Sequence, residues 1–92
     1  MTTSKARFTI INERGMHARA ASKLVKLAAT FGSDIRLSGP EEQAVSAKSV
    51  MGVLLLCGSK GTVIEVEASG DDADEAVIAI GELINDRFGE PE

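Results

Sequence analysis

Histidine occurs once in the 92 residues, inside the stretch Arg14-Gly15-Met16-His17-Ala18-Arg19-Ala20-Ala21-Ser22. A neutral imidazole is a nucleophile able to take a group covalently and release it again. Arg19, two residues on, can offer a charge-assisted fork to phosphoryl oxygens. The surroundings give these two residue types a setting. Arg7 to Ile11 alternates polar and apolar residues as a strand does, and from Ala18 onward apolar residues recur at three- and four-residue spacing. His17 therefore falls at or beside a helix N-terminus, where backbone N–H groups lack intrahelical partners and the peptide dipoles add positive charge. Such a place accepts anions, phosphate among them. A capping or surface histidine with no chemistry fits the same spacing, and for an isolated His it is the commoner case. Glycine, histidine and arginine together at a strand-to-helix junction are what point to a phosphoryl group.

The elements that must hold this junction follow from periodicity and punctuation. A first strand is predicted over Ala6 to Asn12, with Phe8 and Ile10 on one face, and Gly15 lets the chain turn sharply into His17. Met16 is expected both to staple the helix start and to meet a partner. A helix over Ala18 to Phe31 buries Ala21, Leu24, Val25 and Ala28, and Gly32 is its expected C-terminal stop. Asp34 to Ser38 and Gln43 to Ala47 read as a hairpin about the turn Gly39-Pro40-Glu41-Glu42, with Ile35, Leu37 and Val45 inward. Ser49 is the natural N-cap of a short helix from Val50 to Leu56, closed by Gly58, in which Val53, Leu55 and Leu56 are expected to supply the core. Thr62 to Ala68 is a last strand. Asp72 to Arg87 is a last helix with Ala73, Ala76, Val77, Ile80 and Ile84 buried, Asp71, Asp72, Asp74 and Glu75 complementing the dipole and capping its first amides, and Gly81 packed closely. Residues 89–92 are expected to fray. The order βαββαβα gives an α/β (α+β) open-faced sandwich: a four-stranded antiparallel sheet covered on one face by three helices.

Composition bounds the rest. The length suits one domain over 1–92, with its ordered core at about 6–88. Three Phe and no Trp or Tyr leave an aliphatic core and no aromatic platform for single-stranded nucleic acid. The net charge of -4 is unevenly distributed: nine of the ten basic residues lie in the first sixty positions, with four acids, and the remaining positions carry Arg87 against ten acids. The half containing His17 is basic, which favours an acidic partner; the acidic half disfavours nucleic acid and membrane. Cys57 is the single cysteine, so no disulfide framework or CxxC pair exists, and it reads as a small buried hydrophobe. Met1 to Lys5 lacks a signal peptide's apolar run and Val53 to Cys57 is too short to cross a bilayer, which makes a cytoplasmic location the expectation. No P-loop, carboxylate cluster suited to Mg2+ or metal-ligand spacing occurs, so no cofactor or metal is expected.

Two separated segments resemble one family. Gly15-Met16-His17-Ala18-Arg19-Ala20-Ala21 is similar to the active-site stretch of HPr, the histidine phosphocarrier of the bacterial phosphotransferase system. Ala47-Lys48-Ser49-Val50-Met51-Gly52-Val53-Leu54-Leu55-Leu56 is similar to that family's regulatory serine segment. The resemblance, from about Ala6 to Phe88, implies that His17 carries the phosphoryl group, that amides near Ala18 and Arg19 hold it with the Arg19 side chain reinforcing them, and that Ser49 is a regulatory phosphorylation site. It further implies a partner surface of Met16, Ala20, Val50, Met51 and Leu54. The implied partners are an enzyme I-like donor charged by phosphoenolpyruvate, an EIIA-type acceptor and an HPr serine kinase/phosphorylase, and a monomer suits such a shuttle. One position departs: the family usually has proline where this chain has Ala20. Alanine restores an N–H and loosens the first helical turn, which bears on the transfer rate and leaves the fold alone. Three other readings compete: a regulatory binding module run by Ser49 without sugar transport, a metal domain using His17 and Cys57, and a nucleic-acid module of similar strand order.

Overall fold

The computed structural model describes residues 2–40, 44–56 and 58–92. Along the chain run β1 (Thr3–Thr9), α1 (Ala18–Ala28), β2 (Asp34–Ser38), β3 (Ala44–Ser46), α2 (Val50–Leu55), β4 (Val63–Ser69) and α3 (Ala73–Asn85), followed by a 3-10 turn at Arg87–Gly89. The strands form one sheet in the order β1-β4-β2-β3, antiparallel at every pairing. Alternation decides which side is wet. Ile35, Leu37, Ile64, Val66 and Ala68 point inward and join Leu24 and Ala28 of α1 and Val77, Ile80 and Ile84 of α3 in one core. On the other face Arg7 sits opposite Glu65 and Arg36 opposite Glu67 in the register. Ion pairs such as Arg7–Glu65 at 3.3 Å and Lys5–Glu67 at 3.7 Å decorate that face and contribute little to stability, being solvated. This is the expected open-faced sandwich. Glu41, Glu42 and Gln43 of the predicted hairpin, and Cys57, lie outside the described residues.

Gly81 has the packing reason expected of it: a Cβ there would clash with the edge of the Phe8 ring, so its absence lets α3 lie close on β1.

Several element ends differ from the periodic pattern. The first helix stops at Ala28 with Ala29 as its cap, and Gly32 does not cap it. Gly32 N and Ser33 N instead donate to the Asp72 carboxylate, both at 2.9 Å, and the Ser33 hydroxyl donates to it as well. Asp72 thus occupies the N-cap position of α3 without a side-chain bond to that helix; it ties the turn before β2 to the start of α3. The Ser33 hydroxyl, then the Gly32 amide, hold the Asp72 carboxyl below its ordinary value. A lowered folded-state value adds stability above the ordinary carboxylate range, which is lost as pH falls through the lowered value. Asp72→Asn is therefore expected to melt at a lower temperature than the parent at neutral pH, with the gap closing in acid. A thermal melt showing no gap at pH 7 would refute the tie.

The second helix also turns differently. Ser49 caps it as expected, its Oγ accepting from Gly52 N at 3.1 Å, but Leu56 is the C-cap and Gly58 is not. Val53 is fully buried while Leu55 is 68% exposed, against its expected place in the core. At about 100° per residue Met51 and Leu55 share the side opposite Val53, whereas Leu54 and Leu56 flank Val53 and pack against the core.

Candidate functional site around His17

Asn12 and Gly15 set the approach to the histidine. Gly15 has φ +64°, and a Cβ on it would lie 2.9 Å from Ser59 Cα and nearer still to the Gly58 carbonyl. Only glycine suits both the left-handed backbone and that close approach. Met16 N then donates to Gly58 O at 2.6 Å, pinning the segment to the loop before β4.

His17 is the N-cap of α1, with extended backbone angles (φ −81°, ψ 177°). Its carbonyl accepts from Ala21 N at 2.8 Å, as an N-cap carbonyl should, and its Nδ1 accepts from Arg19 N at 3.3 Å. An acceptor at Nδ1 means a lone pair there, so the ring carries its proton on Nε2. Nε2 meets the carboxylate of Glu90. The other Glu90 oxygen accepts from Asn12 Nδ2 at 2.9 Å, and the same Asn12 amide donates to Gly15 O at 2.9 Å. The Asn12 hydrogen bond, with smaller help from His17 and the charge of Arg14 and against the effect of burial, holds the Glu90 carboxyl below its ordinary value.

Glu90 reaches the site because residues 89–92 do not fray. Phe88 is fully buried, Lys23 Nζ donates to Phe88 O at 2.6 Å, and Glu13 N donates to Glu92 O at 2.9 Å. Beside the histidine the folded tail leaves a cleft of about 340 Å³ lined by Glu13, Arg14, Arg19, Glu90, Pro91 and Glu92. A larger hollow of about 700 Å³, next to Arg7, Ser38, Thr62 and Glu65, lies at the sheet and contains no nucleophile comparable to the imidazole.

The structure sorts the expected residues. His17 and the amide of Arg19 come together; Ala18 and Arg19 are exposed in the first turn of α1. Met16 is 5% exposed and Ala20 is 0% exposed, so their side chains are core and neither presents a contact to a partner. Helical rotation turns Ala20 toward the sheet along with Ala21 and Leu24. Val50 (37%) and Met51 (71%) are exposed as expected, but Leu54 is half-buried and Leu55 takes its place in the outward patch. This patch rides on α2, which packs against α1. The metal reading has Cys57 outside the described residues; among those residues no three His, Cys, Asp or Glu side chains converge. Sequence reasoning missed Asn12 and Glu90. A lone Asn at the end of a strand is a weak signal, and Glu90 carries none.

Residues 4–86 match the family described as PTS HPr component phosphorylation site. The phosphocarrier protein HPr of Pseudomonas aeruginosa is 44% identical over 84 residues, covering 91% of this chain and 93% of that protein. The phosphocarrier protein NPr of Shewanella violacea is 42% identical over 90 residues, covering 98% of each. A crystal structure of an HPr from Thermoanaerobacter tengcongensis superposes with a TM-score of 0.91 at 38% identity, covering 97% of this chain and 99% of that one.

Proposed function

The chain belongs to the HPr family of phosphotransferase-system phosphocarriers, and from that premise we propose that His17 Nδ1 takes a phosphoryl group from a phosphoenolpyruvate-charged, enzyme I-type donor and passes it to an EIIA-type acceptor. The observation that carries the reading is the Nδ1 lone pair facing Arg19 N at the start of α1. In the transfer that lone pair attacks phosphorus, the N–P bond forms, and the bond to the donor breaks with its electron pair leaving on the donor. The ring keeps its Nε2 proton and becomes a cation. The Arg19 amide, released from Nδ1, and the Arg19 guanidinium then face the phosphoryl oxygens. Reversal toward the acceptor returns the neutral ring, so the protein is a carried-group intermediate with no turnover of its own.

The test is intact mass and acid lability after incubation with enzyme I, phosphoenolpyruvate and Mg2+. One acid-labile phosphoryl group on the parent, with loss of at least about a hundredfold in uptake for His17→Ala, is expected. An unmodified parent in the presence of a competent donor would refute the carrier reading.

Ser49 supports a second role. Its hydroxyl is exposed at a helix N-cap, beside the outward Met51 and Leu55. A phosphate is electrostatically tolerated at such a cap, so modification by a serine kinase leaves the domain folded and alters docking at the apolar patch. In the purely regulatory form of this role, the same His17→Ala protein keeps its regulatory function.

A further inference from the structure

Five groups, the Gly15 carbonyl, the Asn12 amide, the Glu90 carboxylate, the His17 ring and the Arg19 amide, form a chain of hydrogen bonds whose two ends have fixed polarity. At one end the Gly15 carbonyl can only accept; at the other the Arg19 amide can only donate. Because Gly15 O accepts from Asn12, Asn12 must present its NH2 group at that point, and the same NH2 serves Glu90 Oε1. Flipping the Asn12 amide would set its oxygen against the Gly15 carbonyl. The observed orientation leaves Asn12 Oδ1 buried and unpartnered, which shows that the two bonds on the NH2 side decide it. Glu90 then accepts at Oε1 and, as a carboxylate, also at Oε2, where His17 Nε2 sits. Nε2 must carry the proton, and Nδ1 must keep its lone pair for the Arg19 amide.

We infer that Glu90, held by the folded C-terminal tail, is a positioning residue for phosphoryl transfer: it fixes the ring rotamer and the Nε2–H tautomer, so that Nδ1 is the nucleophile, and it pairs with the cationic ring of the phosphorylated state. This rests on the carrier reading above. Glu90 touches neither donor nor phosphorus, and it acts through the imidazole. Its placement has a second, independent support in the tail's own anchors, the buried Phe88 ring and the bonds Lys23 Nζ to Phe88 O and Glu13 N to Glu92 O. These bring a carboxylate to a site 73 residues away in sequence.

The polarity argument makes the conservative substitution the more harmful one. In Glu90→Gln the amide oxygen stays on Asn12, because Asn12 offers only donors there. The Gln NH2 then faces His17 Nε2 and donates to it. That forces the proton onto Nδ1, where it meets the Arg19 N–H and removes the nucleophile. In Glu90→Ala water takes the place of the carboxylate, and the Arg19 amide at 3.3 Å is the one remaining group that favours the Nε2–H tautomer. Initial rates of phosphorylation by enzyme I are expected to fall roughly tenfold in Glu90→Ala and roughly a hundredfold in Glu90→Gln, since a wrong tautomer with intact geometry is a severe loss. Imidazole nitrogen-15 chemical shifts of the unphosphorylated full-length proteins report the tautomer directly: Nε2–H in the parent, Nδ1–H in Glu90→Gln, and a mixture in Glu90→Ala. A tail that merely covered the site would make Glu90→Ala the worse variant and leave the Gln tautomer as in the parent; either result overturns the inference. If the parent accepts no phosphoryl group from enzyme I, the carrier reading fails on its own, and the nitrogen shifts still decide whether Glu90 sets the tautomer.

Discussion

Phe88→Ala is expected to cost about 3 kcal/mol of folding stability, the low end of what truncating a buried aromatic ring entails, and to release the tail from His17. Phe88 is the largest fully buried side chain. It is held in a conformation that L-residues avoid: φ is 57° at Arg87 and 56° at Phe88, two consecutive left-handed residues without glycine. Each such residue costs about 1–2 kcal/mol, a strain that persists only where the surroundings over-determine it. The ring's burial against the core supplies that constraint, and Lys23 closes it from α1 by donating to the Phe88 carbonyl. With the ring removed, relief of the strain offsets part of the lost burial, which is why the estimate stays near the low end. Once the turn opens, Glu90 no longer stays on Asn12 and His17. Urea denaturation should give a lower midpoint, and amide exchange should rise at Glu90 and at Glu13, whose N–H donates to Glu92 O. An unchanged midpoint with a protected tail would show that the tail is held by something other than this ring.

Gly15→Ala should also be damaging, and it should couple stability to function. Alanine at φ +64° costs about 1–2 kcal/mol for the backbone alone. Its methyl group meets the Gly58 carbonyl and Ser59 Cα, which are backbone and cannot rotate away. The loop must shift, at an additional ~1–3 kcal/mol, and the Met16 N to Gly58 O bond at 2.6 Å stretches with it. His17 follows Met16, so Nδ1 leaves the Arg19 amide. A displacement of this kind near the reacting atom is expected to lower the phosphorylation rate by about a hundredfold. Stopped-flow transfer from phosphorylated enzyme I, read beside a denaturation curve, checks both effects. A parent-like rate in a destabilised variant would separate the loop's packing from the placement of His17.

The comparison of sequence with structure divides by range. Position 17 as a helix N-cap, Ser49 as the cap of α2, the bounds of β2 at Asp34–Ser38 and the buried stripe of α3 all follow from residues within a turn or two of one another. The inward and outward alternation of β4 belongs with them. Such features are legible because side-chain direction repeats with the backbone period and caps act over two or three residues. The resemblance around His17 and Ser49 added the chemistry that the periodicity left open.

What tertiary structure decided has a common physical cause: polar groups find partners wherever the folded chain brings them. Asp72 could have capped its own helix, but it serves Gly32 and Ser33 instead, 39 residues from Ser33, because packing α3 beside the start of β2 offers three donors at once. Met16 and Ala20 look like partner contacts from their place in the motif, yet the close approach of Gly15 to Gly58 and the rotation of α1 turn them into the core. On α2, which leucine faces out depends on where Val53 docks, and a run of apolar residues carries no mark of that choice. The acidic end of the chain reads as a solvated tail. The burial of Phe88, with the bonds from Lys23 and Glu13, turns Glu90 back onto the imidazole, where it meets Nε2 while the Arg19 amide faces Nδ1.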